Sequence, residues 1–253
     1  MTVVQPRTTR AVASSGVPAR RRLNLIGEFQ LLVDGQNVSA PYGVQRLLAF
    51  LALSDRPVAR SRVAGQLWAD VPEVRALGNL RSVLWRLRRT SPQIVECIDD
   101  RLGLASDVEV DLDELVQLAR ELAHAPGDDM LERLPELMTA SELLPGWDHE
   151  WITVERERFH ELRLHALERA CEAVLQLGDH SAAVQTAIAA IDAEPFRDSA
   201  QRLLMKAHLS EGNVAAALRA YHSYRDLVQA ELGIEPSDSM QELVAGLDRR
   251  RRL

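Results

Sequence analysis

Along the first hundred residues the apolar positions switch between short runs and helical spacings. Leu23-Asn-Leu-Ile-Gly27 and Phe29-Gln-Leu-Leu-Val33 alternate or run apolar, and Asp34-Gly35 is a turn signal, so residues 23–38 predict strands. Val44, Leu47, Leu48 and Leu51 stand at helical spacing and predict a helix over 44–53, which Asp55-Arg-Pro57 ends. A second helix, about 61–68, turns Val63, Leu67 and Trp68 inward. Asp70-Val-Pro72 breaks the chain before a third helix, where Leu80, Leu84 and Leu87 form an i, i+4, i+7 stripe. Ile94-Val-Glu-Cys-Ile98 and Leu102-Gly-Leu-Ala105 then read as short strands around Asp99-Asp-Arg101, a hairpin.

Strands, three helices and a closing hairpin are the layout of a winged helix-turn-helix. The regime changes at Asp111-Leu-Asp-Glu114, which has the form of a capping box. From there to Leu247 almost every stretch carries helical spacing, broken at Ala125-Pro-Gly-Asp128, Leu144-Pro-Gly146 and Glu235-Pro236. The expected fold is mainly α with a small β component, and its domain boundary falls near residue 110. We expect a flexible tail over 1–22, a winged helix-turn-helix over 23–110 and an all-α region over 111–253.

Within that last region Gly178-Asp-His-Ser-Ala-Ala-Val recurs as Gly212-Asn-Val-Ala-Ala-Ala-Leu, 34 residues on. This is the tetratricopeptide period, in which helical hairpins stack and share a core. Ala183, Ala187, Ala190 and Pro195 match positions of that pattern, as do Ala217, Tyr221 and Tyr224 in the second copy. Ala187 and Tyr224 depart from it in size, and Cys171 and Met205 replace the usual small residue of each first helix. Stacked hairpins leave a groove suited to peptides, other proteins or a second copy of the chain.

Charge divides the chain at the same boundary. Residues 1–110 hold 15 Arg against 10 acids, a balance of +5, while 111–253 hold 14 Arg and one Lys against 27, a balance of −12. A basic half suits a polyanion, and an acidic half would repel one and suits protein. The basic half concentrates its charge on the third helix. Asn79, Ser82 and Arg86 share one face and are the candidate base readers, since Arg pairs bidentately with guanine in the major groove. Arg81, Trp85, Arg88 and Arg89 are candidates for contacting the phosphate backbone, with Trp85 fitting equally well as a core residue. Arg60 and Arg62, opening the second helix, and Arg101, at the hairpin, complete the candidate backbone and wing set. Trp147 and Trp151 read as core residues of the helical region, and Glu155-Arg-Glu-Arg158 as a polar network or a domain contact.

Other chemistries find little support. Two cysteines, Cys97 and Cys171, suggest neither a disulfide framework nor a zinc site. His160 and His165 are five apart, which turns their rings about 140° from one another on a helix. No Gly-x-Ser-x-Gly or phosphate-binding glycine loop occurs, so we expect neither an enzyme nor a cofactor. No apolar run approaches the roughly 18 residues of a membrane span.

Several segments, in order, carry a family resemblance: Leu25-Ile-Gly-Glu-Phe29; Val58-Ala-Arg-Ser-Arg-Val63 with Leu67-Trp68; Asn79-Leu-Arg-Ser-Val-Leu-Trp-Arg-Leu-Arg-Arg89; Leu144-Pro-Gly-Trp-Asp-His-Glu-Trp151 with Glu155-Arg-Glu-Arg158; and Ala217-Leu-Arg-Ala-Tyr221 leading to Glu231-Leu-Gly-Ile-Glu-Pro236. The chain resembles the Streptomyces antibiotic regulatory protein family, in which an OmpR-type winged helix precedes a bacterial transcriptional activator domain. It resembles the small members, which lack the ATPase module of larger relatives. The resemblance implies an activator of an antibiotic or secondary-metabolite gene cluster. Its expected partners are double-stranded promoter DNA with tandem direct repeats near the −35 element, RNA polymerase through sigma factor and the alpha C-terminal domain, and a second copy side by side on the DNA. It further implies a bacterial, cytoplasmic, nucleoid-associated protein, and a polymerase-facing loop at Asp70, Val71, Pro72 and Glu73. With no receiver domain ahead of the winged helix, activity independent of upstream phosphorylation is expected. Two other readings fit the same residues: a helical-repeat adaptor, and a ligand-gated regulator without promoter activation.

Overall fold

A computed structural model describes residues 20–90 and 93–251. Most of the expected N-terminal tail lies outside the described residues. Its last two positions do not behave as a tail, because β1 (Arg21–Asn24) already begins there. β1 pairs antiparallel with β2 (Gln30–Val33), which pairs with β3 (Gln36–Asn37). The connecting turn uses Asp34 and Gly35 at φ 50° and 78°, the left-handed pair that a tight hairpin demands. Helix α1 (Tyr42–Ala52), strand β4 (Val58–Ala59), helix α2 (Arg60–Leu67) and helix α3 (Glu73–Thr90) follow. The wing is β5 (Val95–Ile98) and β6 (Arg101–Leu104), joined through Asp99 and Asp100 at φ 47° and 61°. β4 adds to β6 as a third strand, and β7 (Val108–Val110) closes the first sheet in parallel with β1, giving the order β3-β2-β1-β7.

Beyond β7 the chain is helical, as its spacing predicts: α4 (Asp111–His124), α5 (Asp128–Glu132), α6 (Leu134–Met138), α7 (Glu150–Gln176), α8 (His180–Ala193), α9 (Asp198–Ser210), α10 (Val214–Leu232) and α11 (Asp238–Arg251). The 34-residue repeat is visible as matching helix starts. Gly178 and Gly212 take φ 81° and 76°, and the next residues, Asp179 and Asn213, cap α8 and α10 by accepting from the N–H of Ala182 and Ala216. Ala183 and Ala217 are then fully buried at the helix crossings.

The change from mixed to helical structure is not a break in the core. One apolar cluster runs from Leu23 and Leu31 through Leu48, Val63, Leu80 and Leu102 to Leu143, Leu144, Ile152 and Phe159. The Leu144-Pro-Gly-Trp147 segment makes this seam. Leu144 donates its N–H to Leu25 O at 2.9 Å, and Gly27 donates to Glu142 O at 2.8 Å. Leu144 adopts φ 45°, which costs a non-glycine residue about 1 kcal/mol or more, and its fully buried side chain offsets that cost. Arg156 holds the segment by donating to the carbonyls of Leu143 and Leu144 and pairing with Glu142 at 2.7 Å, while Arg158 pairs with Glu155.

Trp147 and Trp151 belong to this seam rather than to the interior of the helical region. Trp147 stacks on Phe29 and tilts against Tyr42, with ring centres 6.1 and 5.3 Å away, and Trp151 meets Phe50 edge-on at 5.3 Å. The expected capping box is also used differently. The Asp111 carboxylate accepts from Leu25 N at 2.8 Å, Ile26 N at 3.0 Å and Leu112 N at 2.8 Å, tying the end of β1 to the start of α4. Glu114 turns to Arg22 in a two-pronged pair at 2.9 and 2.8 Å. Both acids serve tertiary contacts, which strand pairing brings within reach and which compete with local capping.

His149 sits in the same seam, stacked on Trp151 at 5.7 Å and 3.1 Å from the Tyr42 hydroxyl. Burial, then the nearby Arg46 guanidinium, hold its imidazole below the ordinary histidine value, with Asp148 opposing. A base depressed in the folded state contributes stability that is present above its unfolded value, about 6.5, and lost as pH falls through the folded one. Urea unfolding is therefore expected to show the wild type losing stability between pH 7.5 and 5.5, and His149→Phe losing less. Parallel losses in both would remove His149 from the seam's energetics.

Candidate nucleic-acid interface

Helix α3 buries Ala76, Leu80, Val83 and Leu87, an i, i+4, i+7, i+11 stripe packed on α1 and α2. Leu84, expected on that stripe, is half-buried at its edge, and Val83 takes the inner place. Gly43 of α1 explains this, since a Cβ there would stand 3.3 Å from a Val83 methyl. Displacement by two residues turns a helix 200°, so the opposite stripe is Val74, Gly78, Arg81 and Ser82, Trp85 and Arg89.

That outer face is exposed, and its cations are uncommitted. Among the described residues, Arg81, Arg88 and Arg89 make no ion pair within 4.0 Å. The arginines at the start of β1 contrast with them. Arg20 pairs with Glu109, Arg21 with Asp107, and Arg22 with Glu109 and Glu114. Trp85 is 60% exposed, which excludes the core alternative, and the Arg89 guanidinium lies 4.9 Å from its ring centre. Arg86 is exposed beside this stripe. Ser82 is exposed and donates its hydroxyl to Gly78 O at 3.1 Å, whereas Asn79 is half-buried at the border of the packed face.

The flanking candidates are placed unevenly. Arg60 is drawn into the fold: Nε lies 3.2 Å from the Asp100 carboxylate, and Nη2 donates to Cys97 Sγ at 3.3 Å. It thereby braces α2 against the wing. Arg62 is exposed and lines a cleft of about 430 Å³ at the seam with Phe50, Asp55, Trp151 and Glu155. Arg101 lies one residue past the hairpin tip and donates to Pro57 O at 3.2 Å. The tip itself is Asp99-Asp100, both exposed, so the wing presents acid where a phosphate contact would need a cation. Arg75, which the sequence pattern did not single out, is exposed near the start of α3; its signal was membership of the stripe's flank.

In the loop before α3, Asp70, Pro72 and Glu73 are exposed and Val71 is half-buried against the core. Glu73 is the first residue of α3, where the helix dipole favours an acid. Elsewhere, His160 approaches Glu194 at 3.8 Å, while His165 contacts the Glu161 carbonyl at 2.8 Å, so the two rings serve different neighbours. Cys171 is buried, and desolvation pushes its thiol up to about 12, the state of an inert packing residue. Among the described residues no helix is long and apolar enough to cross a membrane.

A basic, outward-facing third helix braced by a β-wing, with stacked helical hairpins packed behind it, defines a winged-helix protein with a repeat domain. The family model for the bacterial transcriptional activator domain matches residues 110–247. The chain belongs to that family, among regulators of the Streptomyces antibiotic regulatory protein type. It is 31% identical over 236 residues to the regulatory protein AfsR of Streptomyces coelicolor, an alignment covering 88% of this chain and 24% of AfsR. It therefore spans about a quarter of that relative's length. The regulatory protein DnrI of Streptomyces peucetius is 26% identical over 249 residues, covering 88% of this chain and 90% of DnrI. A structure of Mycobacterium tuberculosis EmbR, solved with a low-affinity phosphopeptide, superposes with a TM-score of 0.70 at 21% identity, covering 92% of this chain and 66% of EmbR. These relatives are transcriptional regulators.

Proposed function

We propose that the chain is a sequence-specific DNA-binding transcription activator. Residues 23–110 form the DNA-binding unit and 111–253 the activator unit. The observation that carries this reading is the outer face of α3, where Arg81, Arg88 and Arg89 stand exposed with no ion pair, while Arg20, Arg21, Arg22 and Arg60 pair with acids of the fold. An exposed arginine without an acid is available to an external anion, and a helix with one packed face fits a major groove with the other. Arg86, Ser82 and Asn79 read bases, and Arg81, Arg88, Arg89 and Arg62 contact phosphates. Arg60 acts indirectly, by fixing the wing. The target is a direct repeat near a −35 element, occupied by two copies side by side, in front of secondary-metabolite genes. The 70–73 loop and the acidic helical unit face RNA polymerase, including sigma factor and the alpha C-terminal domain, and the site of action is the bacterial cytoplasm. In transcription reconstituted with RNA polymerase, the full chain is expected to raise transcript from a promoter carrying its selected repeat, and Arg86→Ala to abolish the increase. Tight repeat binding with no change in transcript would instead favour an adaptor or a ligand-gated regulator.

A further inference from the structure

The most exposed large apolar side chains of the winged-helix part do not cover any protein surface. Val74 and Trp85, 81% and 60% exposed, both stand on the outer stripe of α3, among cations. A solvated arginine helix has no use for a bare indole, which leaves apolar area in water that burial elsewhere would remove. The ring is also held. Arg89, one turn further on, places its guanidinium 4.9 Å from the ring centre, so the indole meets a partner with few rotamers left to lose. Its place on the stripe, between Ser82 and Arg89, is central rather than marginal.

We infer that Trp85 is a specificity residue that reads a thymine by apolar contact with its 5-methyl group in the major groove. This rests on the DNA-binding reading above. Within the groove the thymine methyl is the one apolar group that differs among base pairs, and cytosine carries only a hydrogen at that carbon, which leaves the indole nothing to pack against. The flanking Arg81 and Arg88 suit phosphates and select duplex DNA over a protein surface as the occupant. Trp85 thus moves from the backbone-contacting set to the base-reading set, while Asn79, half-buried beside Val83, is the more recessed of the polar readers.

The test begins by recovering the preferred site of the full chain from a random-sequence duplex library. Each thymine of that site is then replaced singly by deoxyuridine, which deletes only the methyl group. The wild type is expected to lose about fourfold in affinity at one thymine in the stretch protected by α3, the worth of one buried methyl. Trp85→Ala is expected to bind thymine and deoxyuridine duplexes equally at that position, and Trp85→Phe to keep part of the difference. Since the side chain is exposed, unchanged circular dichroism and melting temperature in Trp85→Ala will show that folding is intact. The inference is overturned if the wild type ignores every replacement, if the recovered site has no thymine in the protected stretch, or if Trp85→Ala keeps the wild-type methyl dependence. A loss in Trp85→Ala that is equal on all duplexes, as a phosphate contact gives, overturns it too. Recovery of no preferred site overturns both this inference and the DNA-binding reading, whereas a preferred site without methyl dependence overturns this inference alone.

Discussion

Asp111→Ala is expected to destabilise the chain by about 3 kcal/mol and to lower its melting temperature by about 9 °C. The carboxylate satisfies the backbone N–H groups of Leu25, Ile26 and Leu112, which lie where β1 ends and α4 begins. Alanine removes all three acceptors at once. Each orphaned donor costs about 1–3 kcal/mol, moderated here by partial solvent access and by the loss of the cost of burying the charge. That latter cost is real: burial is the largest influence on Asp111 and holds its carboxyl above the usual carboxylate range, with the three N–H bonds pulling the other way. Glu114→Ala is the control, because its pair with Arg22 is largely solvated and is worth about 1 kcal/mol or less. Denaturant unfolding of the two variants measures the contrast. A cost for Asp111→Ala no larger than for Glu114→Ala would mean that the seam does not depend on this clasp.

That clasp also marks where sequence reading ended. Asp111 and Glu114 have the spacing of a capping box, and no local signal says that β1 will arrive within bonding distance of one and Arg22 beside the other. Short strands were lost for a related reason. β4 has two residues and β7 three, too few to display a period, and each is defined by the neighbour it pairs with. Trp147 and Trp151 were legible as packing residues, but their partners, Phe29, Tyr42 and Phe50, come from over 90 residues earlier in the chain. What was legible had local causes: the Asp34-Gly35 and Asp99-Asp100 turns, the inner stripe of α3 around Leu80 and Leu87, and the repeated caps at Asp179 and Asn213.

The candidate interface shows the same division. Its location on the third helix followed from counting arginines against a leucine stripe. The order of importance among those arginines did not, because a cation's availability depends on which acid the fold brings to it. Arg60 is committed to Asp100 across the β4–β6 pairing, and Arg20, Arg21 and Arg22 to acids near β7 and α4. Arg101 was expected at the wing tip, and the left-handed turn at Asp99 and Asp100 puts two acids there instead.

The exposed arginines of α2 and α3 give the largest effect expected of this molecule. If the charges of Arg62, Arg75, Arg81, Arg88 and Arg89, with that of Arg86 in the groove, together offset about six phosphates, counterion release lowers affinity by roughly three orders of magnitude between 50 and 200 mM salt. Removing one member, as in Arg88→Ala, is expected to weaken binding on all sequences and to reduce the slope of log affinity against log salt by about 1.

The most direct test is a titration of the full chain on duplex DNA carrying its selected site as a direct repeat, against a scrambled duplex, at those two salt concentrations. We expect tight binding to the repeat at low salt, a preference over scrambled DNA, and the thousandfold fall at higher salt. Weak binding, equal on both duplexes and nearly unchanged by salt, would contradict the assignment of α3 to DNA.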